Sequence, residues 1–144
     1  MKKQALVAFM MLGLMFTLAV TLVTAQSGSH FMRVTIPFEF AVRGKTLPPT
    51  ITQSLQIVRK MLLIQNLDGG VSEYVLTNNV QSKTPQGVSK IIFNRYGDRY
   101  FLSQIWTAGD FAGREVPKSG RERTVEIANN ATDRQMVTLL ASPK

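Results

Sequence analysis

None of the 144 residues is cysteine. That excludes thiol nucleophiles and Cys-based zinc or iron–sulfur sites. It also removes the disulfides on which many small exported domains lean, so packing and hydrogen bonds must hold this chain together. The sequence contains no G-x-S-x-G, P-loop, G-x-G-x-x-G or H-E-x-x-H pattern, which leaves the usual nucleophile-elbow, nucleotide and zincin chemistries without a signature. Gly69-Gly70 and the Gly109/Gly113 pair read as turn glycines. Beyond the N-terminal segment, no apolar run approaches the roughly 20 residues that span a bilayer. Acids are scarce, nine against 17 Lys and Arg, for a formal charge of +8.

What the chain does have begins at its start. Met1-Lys2-Lys3 is positive, Ala5 to Val23 is apolar and uncharged, and Val23-Thr24-Ala25 offers small residues before the polar Gln26-Ser27-Gly28-Ser29. This order predicts a secretory signal peptide over residues 1–25, cleaved after Ala25. An uncleaved anchor is the rival reading, because the run is long enough to span, and the Val-Thr-Ala exit favours cleavage. The expected destination is the periplasm or the exterior, away from ATP and NAD(P)H. Removing 25 of 144 residues leaves 119, one domain by length. Lys2 and Lys3 leave with the signal while all nine acids stay, so the charge falls to +6. A basic exported protein favours anionic partners such as acidic polysaccharide or another envelope component, lipid headgroups or released nucleic acid, and the plainer reading is a soluble protein with a basic surface.

The remainder reads as short strands between turns. Val34, Ile36, Phe38, Phe40 and Val42 share one parity, with Arg33, Thr35 and Glu39 on the other, the pattern of a half-buried strand. Pro37 interrupts it and predicts two short strands or one bent edge strand. Residues 44–49 read as turn and loop. Met61–Asn66 and Val71–Thr77 are strand candidates about Asp68-Gly69, a strong hairpin signal. Asn78 to Val88 reads as a surface loop. Lys90–Tyr96 and Arg99–Thr107, joined at Gly97-Asp98, form the clearest hairpin, rich in aromatic and β-branched residues. Ser119-Gly120-Arg121-Glu122 matches the capping box S-x-x-E and predicts a short helix at about 119–128, ended by Asn129-Asn130. A closing strand follows at about 135–141. The expected fold is mainly β, a single-domain antiparallel β-sandwich or small barrel with one short C-terminal helix.

Several segments carry a resemblance. These are Phe38-Glu39-Phe40-Ala41-Val42 before Lys45-Thr46-Leu47-Pro48, Asp68-Gly69, residues 93–98, residues 100–106, and Gly113-Arg114-Glu115-Val116-Pro117-Lys118-Ser119. Together they resemble a family of small, signal-peptide-bearing β-rich proteins from soil bacteria with no assigned function. The likeness covers most of residues 31–128. Family members usually carry Pro-Ala-Gly-x-Tyr after the leucine, leading into a strand, where this chain has Pro48-Pro49-Thr50-Ile51-Thr52. The resemblance implies export and a β-rich fold, and it brings no catalytic residues.

The residues themselves favour no catalytic scheme. His30, the only histidine, sits about five residues from the predicted mature terminus, a poor seat for the well-held base of a Ser-His-Asp triad. Asp68 and Asp98 read as turn formers, Glu122 as part of the capping box, and Glu39 and Glu73 as outward strand residues. A carboxylate-based hydrolase needs two acids facing across a cleft, and no spacing signals one. No cofactor or metal is expected. The sharpest positive constellation is Arg95, Tyr96, Arg99 and Tyr100 with Trp106 and Arg114, cations and rings that can grip an anionic polymer or small ligand. It lacks the RNP signature of RNA-binding sheets, so no specific nucleic acid is expected. The competing account is a hairpin whose rings pack and whose arginines tie turn and loop. Three functions stand in order: a non-catalytic exported module of the envelope or exterior, structural or interacting; a binding module using those six residues; and a small hydrolase. Membrane attachment is expected only if the N-terminal segment stays uncleaved, and open strand edges can pair with another copy.

Overall fold

A computed structural model describes residues 30–67, 70, 72–130 and 133–143, with the backbone alone at 50–54 and 143. The predicted signal peptide, the Asp68-Gly69 turn and an Asn130-Ala131-Thr132 sequon lie wholly or partly outside those residues. No helix among the described residues is long and apolar enough to cross a membrane.

Among the described residues two sheets face each other and no barrel closes. Sheet A runs β12 (Ser142–Pro143), β1 (His30–Ile36), β4 (Thr50–Val58), β5 (Met61–Asn66) and β6 (Ser72–Leu76), all antiparallel neighbours. Sheet B runs β11 (Gln135–Leu140), β8 (Lys90–Tyr96), β9 (Arg99–Trp106), β10 (Ala112–Glu115) and β7 (Asn78–Gln81). The hairpin of β2 (Phe40–Val42) and β3 (Lys45–Leu47) joins sheet B through a parallel pairing of β2 with β9. That pairing is the exception in an otherwise antiparallel fold. β9 is thus shared, with β2 against Tyr100 and Phe101 and β10 against Gln104 to Trp106.

The alternation read from the sequence survives folding. Met32, Val34 and Ile36 from β1, Leu55 and Ile57 from β4, and Leu62 and Ile64 from β5 point into one core. They meet Phe40, Val42, Ile91, Phe93, Leu102 and Ile105 from sheet B. The Pro37 break separates β1 from β2, as expected. Two expectations need correction, and one strand had no residue pattern to announce it. Residues 45–47 form β3, paired with β2 across a two-residue turn in which Arg43 and Gly44 both take positive φ. Residues 78–81 form β7 on β10, where a loop was expected. The longest strand, β4, carries no apolar alternation in its first half and escaped notice.

One bulge sets the third layer. Between Ile92 and Phe93 the β8–β9 register slips, leaving Ser103 without a strand partner. Its carbonyl accepts Val116 N–H instead, at 2.8 Å. The slip turns Leu102 into the core and Phe101 outward. Phe101, Tyr96 and Ala41 then form an apolar seat on the outside of sheet B, and helix α1 (Gly120–Ala128) sets Val125 into it. Ser119 caps the helix, its Oγ accepting Glu122 N–H at 3.1 Å. Asn130 at φ 49° lies just past the helix end.

Candidate functional site

The chain crosses between sheets on both flanks, at Thr77 and Ala141. Thr77 is buried, and both its N–H and Oγ1 donate to the Lys60 carbonyl, at 2.7 and 3.0 Å. Ala141 N–H donates to Ser89 O at 2.9 Å. With the flanks stitched, the sandwich has two ends, and they differ.

One end is plugged. Phe38 stacks on Tyr100 with centroids 3.9 Å apart and meets Phe93 edge-on at 5.2 Å. Arg95 lies over the Tyr100 ring, its Cζ 5.4 Å from the centroid, while its Nε donates to Gly97 O at 2.7 Å. Aromatic pairs of this kind are worth about 0.5–1.5 kcal/mol beyond the area they bury. Gly97, at φ 59°, occupies the first central position of the β8–β9 turn, where glycine carries no steric penalty.

Among the described residues the other end is open. A cavity of about 730 Å³ lies between the sheets, floored by Ile57 and Ile105 and rimmed by His30, Arg59, Asp110 and Arg114. Arg114 pairs with Ile105 across the β9–β10 ladder, so both occupy the inward-facing parity. His30 Nε2 stands 3.7 Å from the Asp110 carboxylate. No salt bridge of Arg59 or Arg114 occurs among the described residues.

The six residues singled out by sequence therefore do not share one surface. Arg95 and Tyr100 meet at the plug. Tyr96 is buried beneath α1, and its ring meets Phe101 edge-on at 5.8 Å. Trp106 is buried too, facing away from Ile105 on β9. Its Nε1 donates to Gln104 Oε1 at 3.1 Å. The indole lies against Gly113, where a Cβ would stand 2.6 Å from Cδ2 and Cε3. Arg99 is exposed beside Glu39, Asp98 and Arg121 in a hollow of about 110 Å³. Only Arg114 reaches the open cavity.

Glu122 holds more than a capping role. Its carboxylate turns into the protein, where Oε1 accepts Asn94 Nδ2–H at 2.9 Å and the Tyr96 hydroxyl at 3.4 Å. Burial pushes its carboxyl above the ordinary range, opposed by the Asn94 hydrogen bond and Lys118. Burial, then Glu122 and Glu126, push the Tyr96 phenol up to about 12, against a smaller pull from Arg134. Glu126 lies lower than usual because Lys118 Nζ donates to it at 2.6 Å.

The remaining acids are dispersed. Glu73 pairs with Lys45 at 2.7 Å, and Glu115 borders a basic depression with Lys118, Arg123 and Arg134. Glu39 and Asp98 are neighbours, but their hollow falls well below the roughly 300–1,000 Å³ of small-ligand pockets. No cluster of three His, Asp or Glu able to hold a metal exists among the described residues.

A further surface lies on the outside of sheet A and carries no sequence motif. Register aligns Val58, Met61 and Leu76 in one row across β4, β5 and β6, and Leu63 with Tyr74 in the next. Tyr74 is 64% exposed and Leu76 57%, with Val58 and Met61 also exposed. Two-fold alternation finds strands, but it cannot say that both faces of one strand are apolar for different reasons.

Fold and sites together define a helix-backed β-sandwich that, among the described residues, has one sealed end, one open end and an uncovered apolar face. No protein-family model, curated protein or solved structure matches the chain.

Proposed function

We propose that the chain is an exported, non-catalytic β-sandwich working as an interaction module at the cell envelope or outside the cell. The observation that supports this most is the open face of sheet A. Solvent faces of antiparallel sheets are ordinarily polar, and contiguous exposed apolar patches mark partner surfaces. Here Val58, Met61, Leu63, Tyr74 and Leu76 lie in adjoining rows, with Arg59-Lys60 in the turn beside them and Arg33 on the same face. A flat pleated surface buries best against another layer of secondary structure. The partner on this reading is an envelope protein offering an apolar helix or sheet face with acidic edges. Export rests on the N-terminal pattern.

Co-sedimentation with envelope fractions tests the reading. Saturable retention that persists in high salt, and that vanishes with Leu76→Arg or after protease treatment of the envelopes, is the expected result. Retention on anionic vesicles alone, complete loss in modest salt, or indifference to Leu76→Arg would overturn it. N-terminal sequencing of exported protein should begin at Gln26.

A further inference from the structure

The open end of the sandwich has the makings of a second, separate site. Its cavity of about 730 Å³ is within the size range of small-ligand pockets. Its floor is apolar, from Ile57 and Ile105, both buried. Its rim carries two guanidinium groups and one carboxylate, and that carboxylate already faces His30. Arg114 is half-buried between the sheets without a salt bridge among the described residues. A cation removed from water calls for an anionic partner to offset its desolvation. Arg59 adds a second sign: it is one of only three non-glycine residues at positive φ among those described, at 55°, in the β4–β5 turn on the same rim. Backbone held in that region by a non-glycine residue is costly and gathers at functional sites.

We infer that this cavity binds a small amphipathic anion, its carboxylate head held by Arg114 and Arg59 and its apolar body laid over Ile57 and Ile105. Guanidinium supplies two parallel N–H donors that match a carboxylate. The packed core behind Ile57 and Ile105 closes the cavity, so the length of the apolar body is limited. This site is distinct from the apolar face of sheet A, although Arg59 stands near both.

Laurate, dodecanol and inorganic phosphate are suitable probes, titrated below the micellar range and followed by calorimetry and by methyl chemical shifts. The expected result is saturable laurate binding that moves the Ile57 and Ile105 methyl signals. Arg114→Gln should weaken it tenfold or more, the size of a lost charge-assisted hydrogen bond. Arg99→Gln removes the same charge from a remote surface and should change it less than about twofold. Dodecanol or phosphate binding as tightly as laurate would overturn the proposal. So would an unaffected Arg114→Gln, or shifts confined to Met61 and Leu76. If Arg114→Gln melts early, Arg59→Gln on the exposed turn provides the same comparison.

Discussion

Replacing Glu122 separates three roles that one side chain combines. Glu122→Ala leaves Asn94 Nδ2 and the Tyr96 hydroxyl without their acceptor beneath α1. Each buried polar group so orphaned costs about 1–3 kcal/mol, and the favourable carboxylate near the helix start is lost as well. A loss of about 3 kcal/mol is expected overall, near 10–15 °C in Tm for a domain of this size. Glu122→Gln keeps an acceptor oxygen in place and removes the buried charge. The raised carboxyl fixes the sign. The unfolded chain releases this proton at a lower pH than the folded one, so the Glu122 contribution is full below the unfolded pKa near 4.5 and declines as pH rises through the elevated folded value. The Gln variant should therefore equal or exceed the parent in stability at pH 7 and lose that advantage towards pH 4. Urea unfolding at pH 4, 5.5 and 7 for parent, Gln and Ala proteins reads all of this directly. Equal destabilisation by Gln and Ala, or a Gln advantage that grows on acidification, would refute the reasoning.

Two other perturbations follow from the same contacts. Gly113→Ala forces a methyl into the Trp106 indole at 2.6 Å, and the shift it demands should cost about 1–3 kcal/mol and redden or broaden the single-tryptophan emission. Alkaline titration followed by tyrosinate absorbance should show Tyr96 ionising near 12; its stabilising contribution is intact below pH 10 and is lost between about 10 and 12, so Tyr96→Phe should flatten the alkaline limb of the stability curve.

The elements read correctly from sequence are those specified by their own residues. Gly97-Asp98 between aromatic runs fixes the β8–β9 hairpin, Ser119 with Glu122 opens α1, and Pro37 ends β1. What escaped is decided by partners far along the chain. Asn78-Asn79 has low strand propensity yet pairs with Arg114 and Glu115, because β10 offers an otherwise open ladder. Thr50 to Gln53 owes its strand state to β1, with β5 joining only at Gln53. The candidate site depended on the same limitation. The Ser103 bulge exchanges faces along β9, so no reading of parity alone could tell that Phe101 and Tyr96 serve α1, or that Arg114 comes to face Ile105 over a cavity. The apolar rows on sheet A emerge only when register aligns three strands.

The last two strands have a consequence for synthesis. β11 covers the edge of β8 in sheet B, and after the turn at Ala141, β12 covers the edge of β1 in sheet A. Both sheets thus wait on the same stretch, Gln135 to Pro143, which leaves the ribosome after every strand it completes. Until it arrives, two hydrogen-bonding ladders stand uncapped at once, in a chain rich in non-local pairings that fold slowly. A nascent or truncated chain ending before Gln135 would present two adhesive edges at once, those of β1 and β8, and would aggregate through them.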